Sequence, residues 1–458
     1  MEQHTNNSDN LKLTRLRTKV DELRVENQEL RIKLEKLQAQ IPRSSGLRYH
    51  LSKAIGLWPR LLRKTKEVYR KKLNELNRQG DSSNGSGFQP YQVKILHPIQ
   101  ENRPRILHVI GNFYTGGSSQ LVVDLIERLG HKYEQIVITR DYPQQDAYTG
   151  LDIHQYNVFT NPESALLVLQ KIKPDFIHMH YLGMHVDEYT ELDWRWYNNV
   201  FQAAQKINCR IIQNINIPTD PYVSDLVDYY VYVSDYVQQE FGHLNGRNIT
   251  IYPGSDMAFF SRKNKDLVPE DCIGMVYRLE GDKLNADSID VFIKVVQRRP
   301  GTRALIVGGG NNLALYKSKV QQAGVSEAFT FTGYVSYNDL PAWYEQMSLF
   351  VAPVHTESFG QVTPFAMGME LPVVGYDVGA IREIVGNPEL LAAPEDSDAL
   401  AEIIIKLLDD PEKRLHIGRA NRKRAEQLFS VEAMINSYSV LYEKMLIPGR
   451  TVGSPEFV

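Results

Sequence analysis

The chain of 458 residues has two cysteines, Cys209 and Cys272, far apart in sequence. That excludes a disulfide framework and every cysteine-based zinc spacing, and it suits a reducing compartment. Both thiols lie in or near apolar, strand-like segments and read as core residues. No run of 18 apolar residues occurs, so no transmembrane helix is expected. The opening MEQHTNNSDN lacks the charged-then-apolar profile of a signal peptide, and the expected location is cytoplasmic, with peripheral contact at the inner membrane face as an extension of that reading. An excess of either charge is also missing: the formal net charge is −3, which does not favour nucleic acid as a partner. What remains is an ordinary globular composition, 42% apolar, long enough for two α/β domains with accessory segments.

The first hundred residues differ from the rest. Leu13, Leu16, Val20, Leu23, Asn27, Leu30, Leu34, Leu37 and Ile41 alternate in steps of three and four, the a/d pattern of a coiled coil over residues 1–42. Asn27 falls at an a position, where paired asparagines fix the register of a parallel dimer, so a homodimer through 13–41 is expected. Pro42 ends the helix. Residues 43–78 are rich in Lys and Arg, interrupted by Leu51, Ile55, Trp58, Leu61 and Tyr69. Such a segment suits an anionic membrane surface, the apolar side chains entering the headgroup region while the cations meet lipid. A solvated helix packed on its own protein fits the same residues. Residues 79–103 open with QGDSSNGSG, too polar and glycine-rich to pack, and read as a linker.

From Arg105 onward, apolar strand-like runs alternate with amphipathic helical ones, which predicts an α/β fold with parallel sheets. The stretch Leu349–Val385 is a βαβ unit whose first turn carries Glu357, Ser358, Phe359 and Gly360 at the carboxyl end of a strand, where ligands bind in open sheets. Gly360 lets a phosphate approach without a Cβ in the way, and Glu357 can accept sugar hydroxyls. RILHVIG is followed by Gly116-Gly117 and a helix, a Rossmann-type first turn without the GxGxxG spacing. Arg278 and Lys283 share the loop after another strand; as isolated residues they would read as a solvated loop. His178 and His180 are placed at a strand end beside the cleft, in a turn that also holds His185. No Cys or carboxylate cluster completes a zinc set around them. Asp396 and Asp398 form a D-x-D, better read as the cap of the helix that follows than as a metal site.

The stretch PxxxESFGxxxxxAM…PVV resembles the donor-site signature of the large retaining glycosyltransferase family 4, and the resemblance extends over roughly residues 104–447. It implies two Rossmann-like domains facing a cleft (GT-B): an acceptor domain at 104–255, a donor domain at 256–430, and a helix at 431–447 that crosses back to the first domain, leaving 448–458 as a tail. It also implies roles. Glu357 corresponds to the glutamate near the transferred sugar, with Ser358, Phe359, Gly360 and Gln361 as donor-binding neighbours. Arg278 and Lys283 fit R-L-x-x-x-K and would meet the diphosphate. Gly116, Gly117 and Gly308 would line the phosphates and nucleotide, and Gly333, Tyr334 and Val335 the base. Two positions depart from the family pattern. Phe365 stands where a second glutamate usually holds the ribose, and Asn216 where a histidine usually meets the sugar; an asparagine can orient hydroxyls but carries no proton at neutral pH.

These readings converge on a retaining glycosyltransferase that takes a sugar from a nucleotide diphosphate sugar to a glycan or lipid-linked acceptor, in polysaccharide or cell-surface glycan synthesis. Neither cofactor nor metal is expected. Glu357, His178, His180 and Asn216 would position the sugar, and the leaving diphosphate would take the acceptor proton. A catalytically inactive paralogue serving as a coiled-coil scaffold is the alternative, suggested by Phe365 and Asn216 and opposed by Glu357, Arg278 and Lys283. Sugar-phosphate or glycogen-type chemistry on the same fold is a third reading, disfavoured because no lysine lies in an identifiable pyridoxal motif.

Overall fold

A computed structural model describes residues 103–113, 117–141, 153–155, 162–181, 188–243, 247–263 and 271–447. All belong to the unit Val93–Val458. The expected coiled coil, basic segment and most of the linker lie outside the described residues, as do Gly116, His185 and the tail. Among the described residues no helix is long and apolar enough to cross a membrane.

The first domain runs β1 (Arg105–Asn112), α1 (Gly117–Leu129), β2 (Glu134–Asp141), β3 (Ile153–Gln155), α2 (Pro162–Ile172), β4 (Phe176–Tyr181), α3 (Glu188–Lys206), β5 (Ile211–Ile215), β6 (Val227–Tyr232), α4 (Asp235–Phe241) and β7 (Asn248–Thr250). Its seven strands lie in the order β3-β2-β1-β4-β5-β6-β7, and the pairings are parallel. Parallel strands with helices on both faces are buried on both sides, which is why β4 and β5 are covered along their whole length. The short β3 and β7 were not foreseen: three residues are too few for a periodic signal.

The second domain runs β8 (Cys272–Val276), α5 (Asp290–Arg298), β9 (Arg303–Val307), α6 (Leu313–Gln322), β10 (Phe329–Gly333), α7 (Leu340–Tyr344), β11 (Leu349–Ala352), α8 (Val362–Gly368), β12 (Val373–Tyr376), α9 (Ile381–Val385), β13 (Leu391–Ala392), α10 (Ser397–Leu408) and α11 (Pro411–Leu428). Its order, β10-β9-β8-β11-β12-β13, repeats the pattern of the first sheet. In each sheet the first strand has neighbours on both sides reached by opposite crossovers, so each has a switch point: β1/β4 in one and β8/β11 in the other. A crevice opens at the carboxyl ends of such a strand pair. The loops carrying Gly117, Lys283 and Glu357 all leave strands of these two pairs.

A last helix, α12 (Val431–Met445), begins at Ser430, whose side chain accepts from the Ala433 amide. Its stripe of Met434, Tyr438, Leu441, Tyr442 and Met445 packs against Ile106, Leu125, Phe176, Ile212 and Val231 of the first domain. Two chain segments therefore join the domains, and they run side by side. The Ser255 amide donates to the Phe429 carbonyl (2.8 Å) and the Val431 amide to the Ser255 carbonyl (3.1 Å). The approach is close enough that a Cβ on Gly254 would stand 2.6 Å from the Val431 Cα. Gly254→Ala should therefore force the crossing segments apart and cost about 1–3 kcal/mol, as overpacking typically does; urea denaturation measures it, and an unchanged midpoint would show that the crossing yields freely.

Candidate functional site

Glu357 lies in the turn between β11 and α8, and its side chain has 0% exposure. A buried carboxylate needs a partner. Lys283 Nζ supplies one at 2.7 Å from Oε1, and the Ser358 amide donates to the same oxygen at 3.1 Å. Gly360 folds over the carboxyl with φ of +76°, and a Cβ there would meet the Glu357 side chain at 2.7 Å. Glu357 Oε2, by contrast, has no hydrogen-bond partner among the described residues; the buried hydroxyls of Tyr277 and Thr363 lie beside each other and have no further partner there. Burial, with the Glu357 charge second, pushes the Tyr277 phenol far above its usual range. Orphaned buried polar atoms are rare in native proteins, and their occurrence at a strand-end turn singles this turn out as the candidate site.

The other expected donor residues divide. Arg278 points to Asp282 of its own loop (2.8 Å) and is 65% exposed, so it and Lys283 face different partners. Gly308 and Gly333 both take positive φ and face each other at the ends of β9 and β10. The Tyr334 ring, 73% exposed, lies over Gly309, beside Val335. Phe359 stacks on Tyr252. Phe365 is stacked face to face on Phe260 at 3.9 Å, which occupies one face of the ring expected near a ribose; the exposed aromatic of that cluster is Tyr337, which sequence reasoning passed over. Asp396 caps α10 through the Ala399 amide, and Asp398 pairs with Lys294 and Arg298, so both carboxylates are engaged.

The first domain reaches this turn directly. Ser234 Oγ donates to the Ser358 carbonyl (2.5 Å), and Gln361 Nε2 to the Gly254 carbonyl (3.3 Å). A Cβ on Gly117 would stand 3.0 Å from Gln361 Oε1, so the glycine after β1 faces the donor turn. Asn216, just past β5, is half-buried and donates to Ser118 Oγ (3.0 Å).

His178 and His180 do not stand where the sequence placed them. Both lie inside β4 with 0% exposure, because alternate residues of a strand share one face and here that face meets α12. A group without accessible surface does not touch a sugar, so their expected sugar-positioning role is corrected to an interior one. His178 bonds Tyr442 Oη and Asn214 Oδ1, each at 2.7 Å, and His180 Nε2 is 3.2 Å from Nδ1 of His108, a third buried imidazole that single-strand reasoning missed. The ligand atoms of this trio lie within 4.8 Å of one another, the one such group among the described residues. Its ring nitrogens are mostly engaged within the protein, leaving His180 Nδ1 without a partner among the described residues. The donor set therefore does not fit a metal as it stands.

Residues 257–424 match the family described as glycosyl transferases group 1. The chain is similar to the lipopolysaccharide core biosynthesis mannosyltransferase LpsB of Rhizobium meliloti, 32% identical over 38% of this chain and 51% of that protein. It is similar along more of its length to the N-acetyl-alpha-D-glucosaminyl L-malate synthase of Bacillus anthracis, 22% identical over 72% of this chain and 94% of that one. At 32, 30 and 29% identity it spans about half the length of the curated relatives it matches. Among solved structures, HepE of Anabaena with UDP and glucose superposes with a TM-score of 0.59 at 17% identity, over 74% of this chain and 99% of that one. The sucrose-phosphate synthase of Thermosynechococcus elongatus gives 0.57 at 19%, over 75% and 99%. At these identities the likeness shows a shared fold, the GT-B pair of Rossmann-like domains.

Two outcomes follow from the site's charges. Lys283→Ala leaves the Glu357 carboxylate buried and unpaired, which costs up to about 3–5 kcal/mol, less here because part of Lys283 faces water. Adding Glu357→Gln should recover most of that loss in urea denaturation, and a double variant as unstable as the single would contradict the pairing. Burial holds the His108 imidazole down at about 4, and burial together with neighbouring imidazoles holds His178 and His180 well below the histidine range. The unfolded chain takes up these protons near pH 6.5, so the stability they contribute is intact above that value and is lost as pH falls toward 4. For His108 alone the loss is about 2 kcal/mol by pH 5. The urea midpoint should drop from pH 7 to pH 5, with a shallower slope in His108→Gln.

Proposed function

We propose that this chain, which carries a glycosyl transferases group 1 domain at residues 257–424 on a GT-B fold, transfers a sugar from a nucleotide diphosphate sugar to a glycan or lipid-linked acceptor with retention of configuration. The observation that carries the reading is the Glu357 turn. A buried carboxylate is held by Lys283 on one oxygen and left without a partner among the described residues on the other, beneath a glycine that permits close approach, at the switch point of the second sheet. Glu357 Oε2 then accepts hydroxyl protons of the transferred sugar. Lys283, between the carboxylate and solvent, stabilises the departing diphosphate as its charge grows. The acceptor hydroxyl attacks from the face the diphosphate leaves, with a phosphate oxygen taking its proton, a route that needs no protein nucleophile. Asn216 and Ser118 approach from the first domain and orient hydroxyls.

Similar proteins support the setting. The names of two relatives place them in lipopolysaccharide core and capsular polysaccharide biosynthesis, and HepE was solved with UDP and glucose. We extend the proposal to cell-surface polysaccharide synthesis, a homodimer through 13–41 and contact with anionic lipid through 43–78, the last two resting on the heptad and basic patterns of the sequence alone.

A thermal-shift panel tests the reading. UDP or GDP at a hundred times its Kd should stabilise the protein by about 2.7 kcal/mol through mass action. Glu357→Gln should keep the nucleoside diphosphate shift but lower sugar release from UDP-glucose or GDP-mannose at least tenfold. Absence of any shift with either nucleotide would overturn the assignment.

A further inference from the structure

We infer that the Ser118 hydroxyl is a substrate-facing hydrogen-bond donor whose direction is set from the far side of the first domain by a polarised relay, Tyr442 to His178 to Asn214 to Asn216 to Ser118. Its ligand, an oxygen of the bound sugar nucleotide, rests on the function proposed above; the polarity of the relay does not.

The links are Tyr442 Oη to His178 Nδ1 at 2.7 Å, His178 Nε2 to Asn214 Oδ1 at 2.7 Å, Asn214 Nδ2 to Asn216 Oδ1 at 3.3 Å, and Asn216 Nδ2 to Ser118 Oγ at 3.0 Å. The Tyr438 hydroxyl braces the middle, 2.7 Å from Asn214 Nδ2 and 3.0 Å from Asn214 Oδ1, the acceptor for its own proton. A neutral imidazole has one N–H and one lone pair, so the relay can run in one of two directions. If it ran from Ser118 toward Tyr442, His178 would carry its proton on Nδ1 and the Tyr442 hydroxyl would have to donate elsewhere. Tyr442 is fully buried, and His178 is the only hydrogen-bond partner of its hydroxyl among the described residues. A buried donor without an acceptor is costly. In the opposite direction Tyr442 donates to Nδ1, His178 donates from Nε2, and every buried donor is used. One hydroxyl proton is then left over at the other end, on Ser118, which is half-buried and can give it to water or a ligand. The parallel chain agrees: His180 Nε2 gives to His108 Nδ1, His108 Nε2 to Gln135 Oε1 (2.9 Å), and Gln135 Nε2 to the Leu125 carbonyl (2.9 Å).

Ser118 sits beside Gly117, the residue against Gln361 of the second domain. The freed proton therefore belongs to the wall that faces the donor turn. Tyr442, His178 and Asn214 are positioning residues, and α12 acts at the cleft without reaching it.

The test uses the full chain. With histidine labelled by nitrogen-15, long-range proton–nitrogen correlation should show His178 protonated on Nε2, identified by loss of its signal in His178→Gln; a proton on Nδ1 would overturn the polarity. Binding is measured with UDP, UDP-glucose, GDP and GDP-mannose. Ser118→Ala should weaken a sugar nucleotide about threefold to tenfold, the range of one neutral hydrogen bond. Loss confined to the sugar form identifies a sugar hydroxyl, and equal loss for the bare diphosphate identifies a phosphate oxygen. Tyr442→Phe should lower the melting temperature in either background but weaken binding only when Ser118 is present. An equal binding loss in the Ser118→Ala background, or none in either, would reduce Tyr442 to a packing role and overturn the inference. If the unsubstituted protein binds none of the four ligands, the proposed function fails, while the His178 tautomer still decides the relay.

Discussion

A carboxylate removed from water is the constraint around which the second domain's cleft edge is organised. A carboxylate buried there needs a cation and donors, which Lys283 supplies from the loop after β8 and Ser358 through its amide. The carboxyl folds beneath residue 360, which for that reason has no Cβ and takes a left-handed φ. The carbonyl of Glu357 accepts from Ala380, tying the turn to the start of α9 as well. Two loops are thus fixed by one buried charge, and a third by the backbone of the residue that carries it. Such an arrangement is hard to justify by stability, since an apolar group of similar volume would cost less. It is easier to justify by the free oxygen it presents.

The first domain solves a different polar problem. Its central strands β1 and β4 bring three histidines into the core, where charged imidazole is excluded, so hydrogen bonding has to satisfy neutral rings. One tyrosine of α12, Tyr442, bonds His178 directly, and a second, Tyr438, bonds the Asn214 side chain that holds the other nitrogen of that ring. The helix that returns from the second domain is consequently more than an apolar cover: its hydroxyls complete hydrogen bonds that the first domain's own strands cannot. Because α12 follows the segment paired with Ser255, the interior of one domain and the crossing point of both are built from consecutive turns of one helix.

The sequence showed the α/β alternation, both Gly-bearing strand-end turns and the Glu357 motif, because each rests on local signals: apolar runs of strand length, glycine at tight turns, a carboxylate beside bare backbone. It did not show that Arg278 would turn to Asp282 while Lys283 turned to Glu357; five residues apart on a loop, the two cations look equivalent until their partners are placed. It misplaced His178 and His180 for a related reason. Alternation puts both on one face of β4 but does not say which helix covers that face, and α12 lies 250 or more residues further on in the chain. His108 was invisible until β1 was paired with β4, where His108 stands opposite His178. Phe365 illustrates the limit of motif reasoning: its neighbours Phe260 and Tyr337 come from distant segments, so a residue read by its place in a motif proved to be part of an aromatic stack.

The contacts between domains bear on how such a site works. Both ends of the Glu357 turn are held by the first domain: the Ser358 carbonyl by Ser234, and Gln361 by the Gly254 carbonyl. Further out, the Glu383 carboxylate of α9 accepts the amides of Asp235 and Tyr236 at 2.9 and 3.2 Å and the Tyr252 hydroxyl at 3.1 Å. Each neutral bond contributes about 0.5–1.5 kcal/mol, and those to a carboxylate somewhat more. Together they favour the arrangement seen here by an amount that a ligand bound to both domains could readily reinforce or oppose. Since the same bonds hold the turn that carries Glu357, separating the domains would also release that turn. The carboxylate itself is held by Lys283 and Ser358 of the second domain, whereas the backbone of the turn that carries it is shared between the two domains.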